Sequence, residues 1–172
     1  AIDNILISEL PEYNLKTISA NQKLPALSGV NIYGATSYPT VPISQFQNAG
    51  YNFFGHFKNM GSNTLDFIEL NATVNGETYS ITDSTNLNSF EEIVLSVGDF
   101  FPDEVGVYSS EVFAKSQGSI YSDTTEINFY VSEYEYALDN SDFTGDYTGF
   151  TSLNASGTNG IGNIYEIYND AT

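Results

Sequence analysis

The apolar positions of this chain recur with a period of two, the spacing of strands rather than helices. Near the end, Ile127, Phe129 and Val131 alternate with Glu126, Asn128 and Tyr130, which puts apolar and polar side chains on opposite faces of a half-buried strand. Residues 65–74 repeat the pattern, with Ile68, Leu70, Ala72 and Val74 on one face and Glu69, Asn71 and Thr73 on the other. Asn75-Gly76 follows, a pair suited to a two-residue type I′ turn because both central residues need positive φ. Residues 77–83 then return as a strand, with Tyr79 and Ile81 expected to face inwards.

Residues 51–60 form another strand, with Phe53, Gly55 and Phe57 inwards, and Gly61-Ser62-Asn63 turns the chain. A polar loop at 83–89 leads to a strand carrying Ile93, Leu95 and Val97. After an acidic loop punctuated by Pro102 and Gly106, Tyr108 stands where an immunoglobulin-like sandwich places the tyrosine that ties its penultimate strand to the preceding corner. Residues 5–10, ending at Pro11, suit a first edge strand. Between 13 and 48, Pro25, Pro39, Pro42, Gly29 and Gly34 imply short extended pieces, with strands expected near 31–33 and 41–46. The expectation is an all-β, immunoglobulin-like β-sandwich of seven to eight strands spanning residues 1–134. Residues 135–172 are expected to be a Gly/Asp-rich linker and the opening strand of a second β element, because 163–168 (NIYEIY) alternate again. A lone strand of that kind must pair with something, either an edge of its own sandwich or a neighbouring subunit, the latter giving self-association through the C-terminal strand.

Composition narrows the partners. The 172 residues carry 22 acidic side chains against four lysines, a net charge of −18, which repels phosphate backbones and anionic lipid. No nucleic-acid partner and no membrane insertion are expected. Thirteen tyrosines and twelve phenylalanines supply ample core material, and the absence of cysteine excludes a disulfide scaffold. No signal peptide is visible, and a start directly in strand-like sequence points to a mature or trimmed form.

Candidate chemistry is sparse. His56 lies on the outward phase of its strand without a metal-binding partner pattern, and is expected to be a surface histidine. Neither a Gly-x-Ser-x-Gly elbow nor a Gly-Lys-Ser/Thr phosphate loop occurs, so no enzymatic activity is expected. Asn140, Asp142, Thr144 and Asp146 alternate oxygen ligands around Gly145 as a calcium loop does. Thr151, however, stands where the bidentate glutamate belongs, and a flexible acidic linker is the competing reading. Asp99, Asp103 and Glu104, clustered in one stretch at a sandwich end, are the second candidate for calcium, the one cofactor considered. Tyr130, Tyr134 and Tyr136 are candidates for stacking on sugar rings, although alternating tyrosine is also ordinary strand composition.

Several segments in order resemble the immunoglobulin-like, adhesion-type modules of secreted Bacteroidota surface proteins. Residues 53–76 (FFGHFKNMGSNTLDFIELNATVNG) are similar to the core of such modules. Gly98-Asp99, Pro102, Gly106, Tyr108, Phe129 to Ser132 and Tyr136-Ala137-Leu138-Asp139-Asn140 are similar to their closing half. Gly162-Asn163-Ile164-Tyr165-Glu166-Ile167 resembles the opening of a following β-domain; the likeness covers roughly residues 40–172 and leaves the first forty unmatched. It implies export to the cell surface through the type IX route and a non-catalytic structural or adhesive role, as a spacer or a fibre subunit. It also implies O-glycosylation at Ser84 and Thr124, within Asp83-Ser84-Thr85 and Asp123-Thr124-Thr125. The alternative is an accessory, non-catalytic or carbohydrate-binding region of a secreted hydrolase.

Overall fold

The computed structural model describes residues 9–23, 40–47 and 50–135. Two sheets face one another across the core. The smaller is built from β1 (Leu15–Lys23), β3 (Tyr51–Asn59) and β6 (Glu92–Phe100), in the order β1-β3-β6 and antiparallel throughout. The larger runs β2-β9-β7-β4-β5, from β2 (Thr40–Pro42), β9 (Thr125–Ser132), β7 (Gly106–Ser116), β4 (Ile68–Val74) and β5 (Glu77–Asp83). In it β2 pairs β9 in parallel and the other pairs are antiparallel, while β8 (Ile120–Tyr121) caps the end of β7. A 3-10 turn at Ile43–Gln47 leads from β2 towards β3. With β1, β3 and β6 as strands A, B and E, and β4, β5, β7 and β9 as C, C′, F and G, this is the immunoglobulin-like sandwich. The chain passes from β5 to β6 without a D strand; within that connection Leu87 forms an isolated bridge to Leu65.

The alternation along the sequence explains the core. In β3 every odd residue from Tyr51 to Asn59 is buried, and in β4 Ile68, Leu70, Ala72 and Val74 are fully buried. Each large side chain taken out of water in this way contributes about 1.5–3 kcal/mol. Gly55 is the exception that fits. A Cβ there would collide with the ring of Phe57, which fills the space a side chain would need. Asn75 and Gly76 both hold positive φ, as the two-residue turn between β4 and β5 requires.

Rings join the sheets. Phe100 on β6 lies 5.5 Å from Tyr108 on β7, 6.2 Å from Phe129 on β9 and 6.2 Å from Tyr79 on β5. Tyr108 and Phe129 stack at 5.4 Å, and Tyr51 meets Phe129 edge-on at 4.9 Å. The Tyr108 hydroxyl donates to the Glu104 carbonyl at 2.8 Å, the corner bond expected from its position.

Three expectations need correction. β1 was not foreseen: LKTISANQK buries only Leu15 and Gln22, and a bulge between Thr17 and Ser19 breaks its phase. Of the first expected strand, Glu9 and Leu10 are described and lie outside any strand; residues 1–8 and the strand expected near 31–33 fall outside the described residues. Ile81 shares the inner face with its register partner Leu70 but stays 44% exposed, on the strand that ends the larger sheet. The linker and the strand expected at 163–168 also lie outside the described residues.

Asn59 closes the corner between the sheets. Fully buried, it donates from Nδ2 to the carbonyls of Asn63 (2.8 Å) and Leu87 (3.0 Å) and accepts from the Gly61 amide at Oδ1 (2.9 Å). Asn59→Ala strands two backbone groups, the Gly61 amide and the Asn63 carbonyl, at roughly 1–3 kcal/mol each, while the Leu87 carbonyl keeps the Leu65 amide; partly relieved by entering water, a loss of about 3 kcal/mol is expected in denaturant unfolding. A loss below about 0.5 kcal/mol would show that the corner does not depend on this side chain.

Candidate interaction surface

Among the described residues, those expected to carry chemistry do not converge. Asp99 is exposed near the end of β6, and Asp103 and Glu104 are exposed in the loop that follows. Among the described residues no group of three or more His, Cys, Asp or Glu side chains is placed to hold a metal ion. The Glu104 backbone serves Tyr108 instead, its amide pointing at the same hydroxyl at 3.3 Å. Asn140, Asp142 and Asp146 lie outside the described residues. Ser84 and Thr124 are both exposed in loops. Ser84 sits in a tight turn where the Thr85 amide donates to Asp83 Oδ1 at 2.7 Å, and hydrogen bonding to Thr85 lowers the Asp83 pKa. Tyr130 and Tyr134 are exposed, Tyr134 to 80%, and Tyr136 is outside the described residues. Among the described residues no helix is long and apolar enough to cross a membrane.

Two surfaces stand out. The first is the outer face of the three-stranded sheet, where Lys16, Lys23 and Lys58 gather three of the four basic residues of a chain of net charge −18. Glu92 on β6 accepts from Lys58 Nζ at 2.7 Å and meets His56 Nε2 at 2.9 Å, so β3 and β6 are tied by side chains as well as by their ladder. The bonds from Lys58 and then His56 hold the Glu92 carboxyl below its ordinary range. A shallow depression of about 210 Å³ opens beside them, lined by Ser19, Asn21, Lys23, Phe54, His56 and Val94. Lys23 lies over the Phe54 ring at 4.6 Å, and partial burial lowers its pKa. His56 is therefore a surface residue in an ion-pair network.

The second surface is an edge. Among the described residues each sheet ends in two strands whose outer backbone groups pair with no further strand, and three of these four edges are interrupted. β1 is bulged and bears lysines, β2 is three residues long and ends in Pro42, and β6 shifts register opposite Tyr51–Phe53. β5 has none of these devices. Its seven residues pair with β4 in unbroken register from Ile68↔Asp83 to Val74↔Glu77, without proline, bulge or lysine. Its charges, Glu77 and Asp83, sit at its two ends. Tyr79 reaches back to donate to Glu77 at 3.1 Å, and burial followed by that carboxylate raises its phenol pKa. The Asn75-Gly76 turn in the sequence marks the hairpin; that its second strand ends a sheet emerges only from the three-dimensional strand order.

No protein-family model matches this chain, and no curated protein does. Among solved structures it is similar to the CARDB domain of PF1109 from Pyrococcus furiosus in solution, at 17% identity and a TM-score of 0.46, covering 74% of this chain and 100% of that one. A crystal structure of that domain in complex with di-metal ions gives 18% identity and a TM-score of 0.42, covering 77% and 97%. The putative ApaA protein from Bordetella pertussis gives 15% identity and a TM-score of 0.34, covering 72% and 96%. These likenesses are distant, and the immunoglobulin-like sandwich rests on this chain's own strand order and on its Tyr108 corner.

Proposed function

We propose that this chain is a non-catalytic structural or adhesive module of a larger extracellular protein, whose partner is protein, including further copies of itself. The observation that carries this reading is the contrast between a core closed by stacked rings and an unprotected, regular strand edge beside it. Edges of that kind are normally blocked in proteins that stay single, and backbone pairing along one is a common mode of protein recognition. The alternating sequence of residues 163–168 is suited to such a pairing. The finer setting is a Bacteroidota surface protein exported by the type IX route, and it rests on the sequence resemblance. Exposure of Ser84 and Thr124 fits their modification in that setting.

Exposure of Tyr130 and Tyr134 favours a second reading, the sugar-binding accessory region of a secreted hydrolase. A glycan array on which Tyr130→Ser/Tyr134→Ser binds as well as the unaltered chain would dismiss it. The leading reading is tested by sedimentation velocity over a wide concentration range. The full chain is expected to associate reversibly, and deletion of residues 160–172 to leave a folded monomer. A full chain that stays monomeric at the highest concentrations would refute self-association.

A further inference from the structure

The hairpin register decides which backbone groups of β5 are free. Val74 and Glu77 flank a two-residue turn with positive φ at Asn75 and Gly76, so these two residues exchange both of their backbone bonds. Bonding then alternates along an antiparallel pair. Tyr79, Ile81 and Asp83 face their partners Ala72, Leu70 and Ile68 with N–H and C=O, whereas Thr78, Ser80 and Thr82 turn theirs away from β4. Because β5 ends the sheet among the described residues, those three residues present a row of donors and acceptors that no described strand uses. The same edge leaves the core incomplete, since Ile81 points to the inner face yet is 44% exposed, and no D strand covers that side.

We infer that the β5 edge is the acceptor for residues 163–168 of a second copy of this chain, which add as a sixth main strand beyond β5. This deepens the self-association reading above and rests on it. The match is specific. Six residues supply three with outward-facing backbone groups, the number that β5 offers. Alternation of Asn163-Ile164-Tyr165-Glu166-Ile167-Tyr168 brings an apolar side chain to the inner face in either phase, able to cover Ile81. Glu166, in the middle of the segment, falls opposite the uncharged stretch from Thr78 to Thr82 rather than opposite Glu77 or Asp83. The intervening residues 136–162 reach ~90 Å when extended and have a root-mean-square span of about 30 Å as a flexible chain, enough to reach a neighbour.

Ser80→Pro tests the acceptor, because it removes an N–H that β4 does not use and proline is tolerated on an outward-facing edge position. In the full chain it is expected to weaken association roughly tenfold or more while leaving the unfolding midpoint nearly unchanged, with Ser80→Ala, which keeps the N–H, close to the unaltered protein. Amide exchange supplies a readout that needs no variant. The Thr78, Ser80 and Thr82 amides should be slow in the associated form and fast after residues 160–172 are deleted. If the deletion abolishes association but Ser80→Pro does not, and these amides stay fast, the acceptor assignment is wrong and the self-association reading survives. If the chain is monomeric yet the amides are slow until the deletion, the strand docks on its own β5: the acceptor edge is right, and both the second copy and the self-association reading are wrong. A monomer with fast amides overturns both.

Discussion

Phe100 is the residue through which the two sheets hold one another. It sits at the end of β6, in the smaller sheet, and its ring lies against Tyr79, Tyr108 and Phe129 of the larger one and against Phe53 of its own. Aromatic pairs in tilted or edge-on geometry add to the burial energy of each ring, and here several share one centre. Polar groups close the sandwich both beside this cluster and at the far end of β3. The Tyr108 hydroxyl reaches Glu104, Asn59 satisfies the corner between β3 and β4, and Thr17 on β1 donates to the Asp123 carbonyl at 2.6 Å across the sandwich.

A body closed in this way does its work at its surface. With 22 acidic residues against four basic ones, copies repel at long range, but at physiological ionic strength that repulsion fades within about 8 Å and contact chemistry decides what binds. Backbone pairing is suited to such a surface because it needs no opposite charge. Three edges carry a bulge, a proline or lysines, the usual defences against pairing, and the fourth does not. That asymmetry ties the fold to the proposed role.

Much of the sandwich was legible because its strands bury one face and expose the other. β3, β4 and β9 show a clean period of two, Asn75-Gly76 marks its turn, and Tyr108 announces its corner. β1 was illegible for the complementary reason. It lies at an edge, turns little more than Leu15 and Gln22 inwards, and loses its phase at the bulge. Ile81 takes the inner face that its alternation predicts yet stays exposed, because alternation reports which face a side chain takes, not whether another sheet covers it. The β5 edge was hidden for a similar reason, since being last in a sheet is a property of long-range pairing. Asp99, Asp103 and Glu104 are close along the chain, yet no metal-holding group forms among the described residues.

The claim on which the rest stands is that one ring cluster makes both sheets a single cooperative unit. Amide exchange measured together with denaturant unfolding of Phe100→Ala tests it most directly. Truncating a nearly buried phenylalanine should cost about 3–5 kcal/mol, and the protection of β1 and β3 should fall by the same amount as that of β4, β7 and β9. A loss confined to β6, with β7 and β9 as protected as before, would contradict the account.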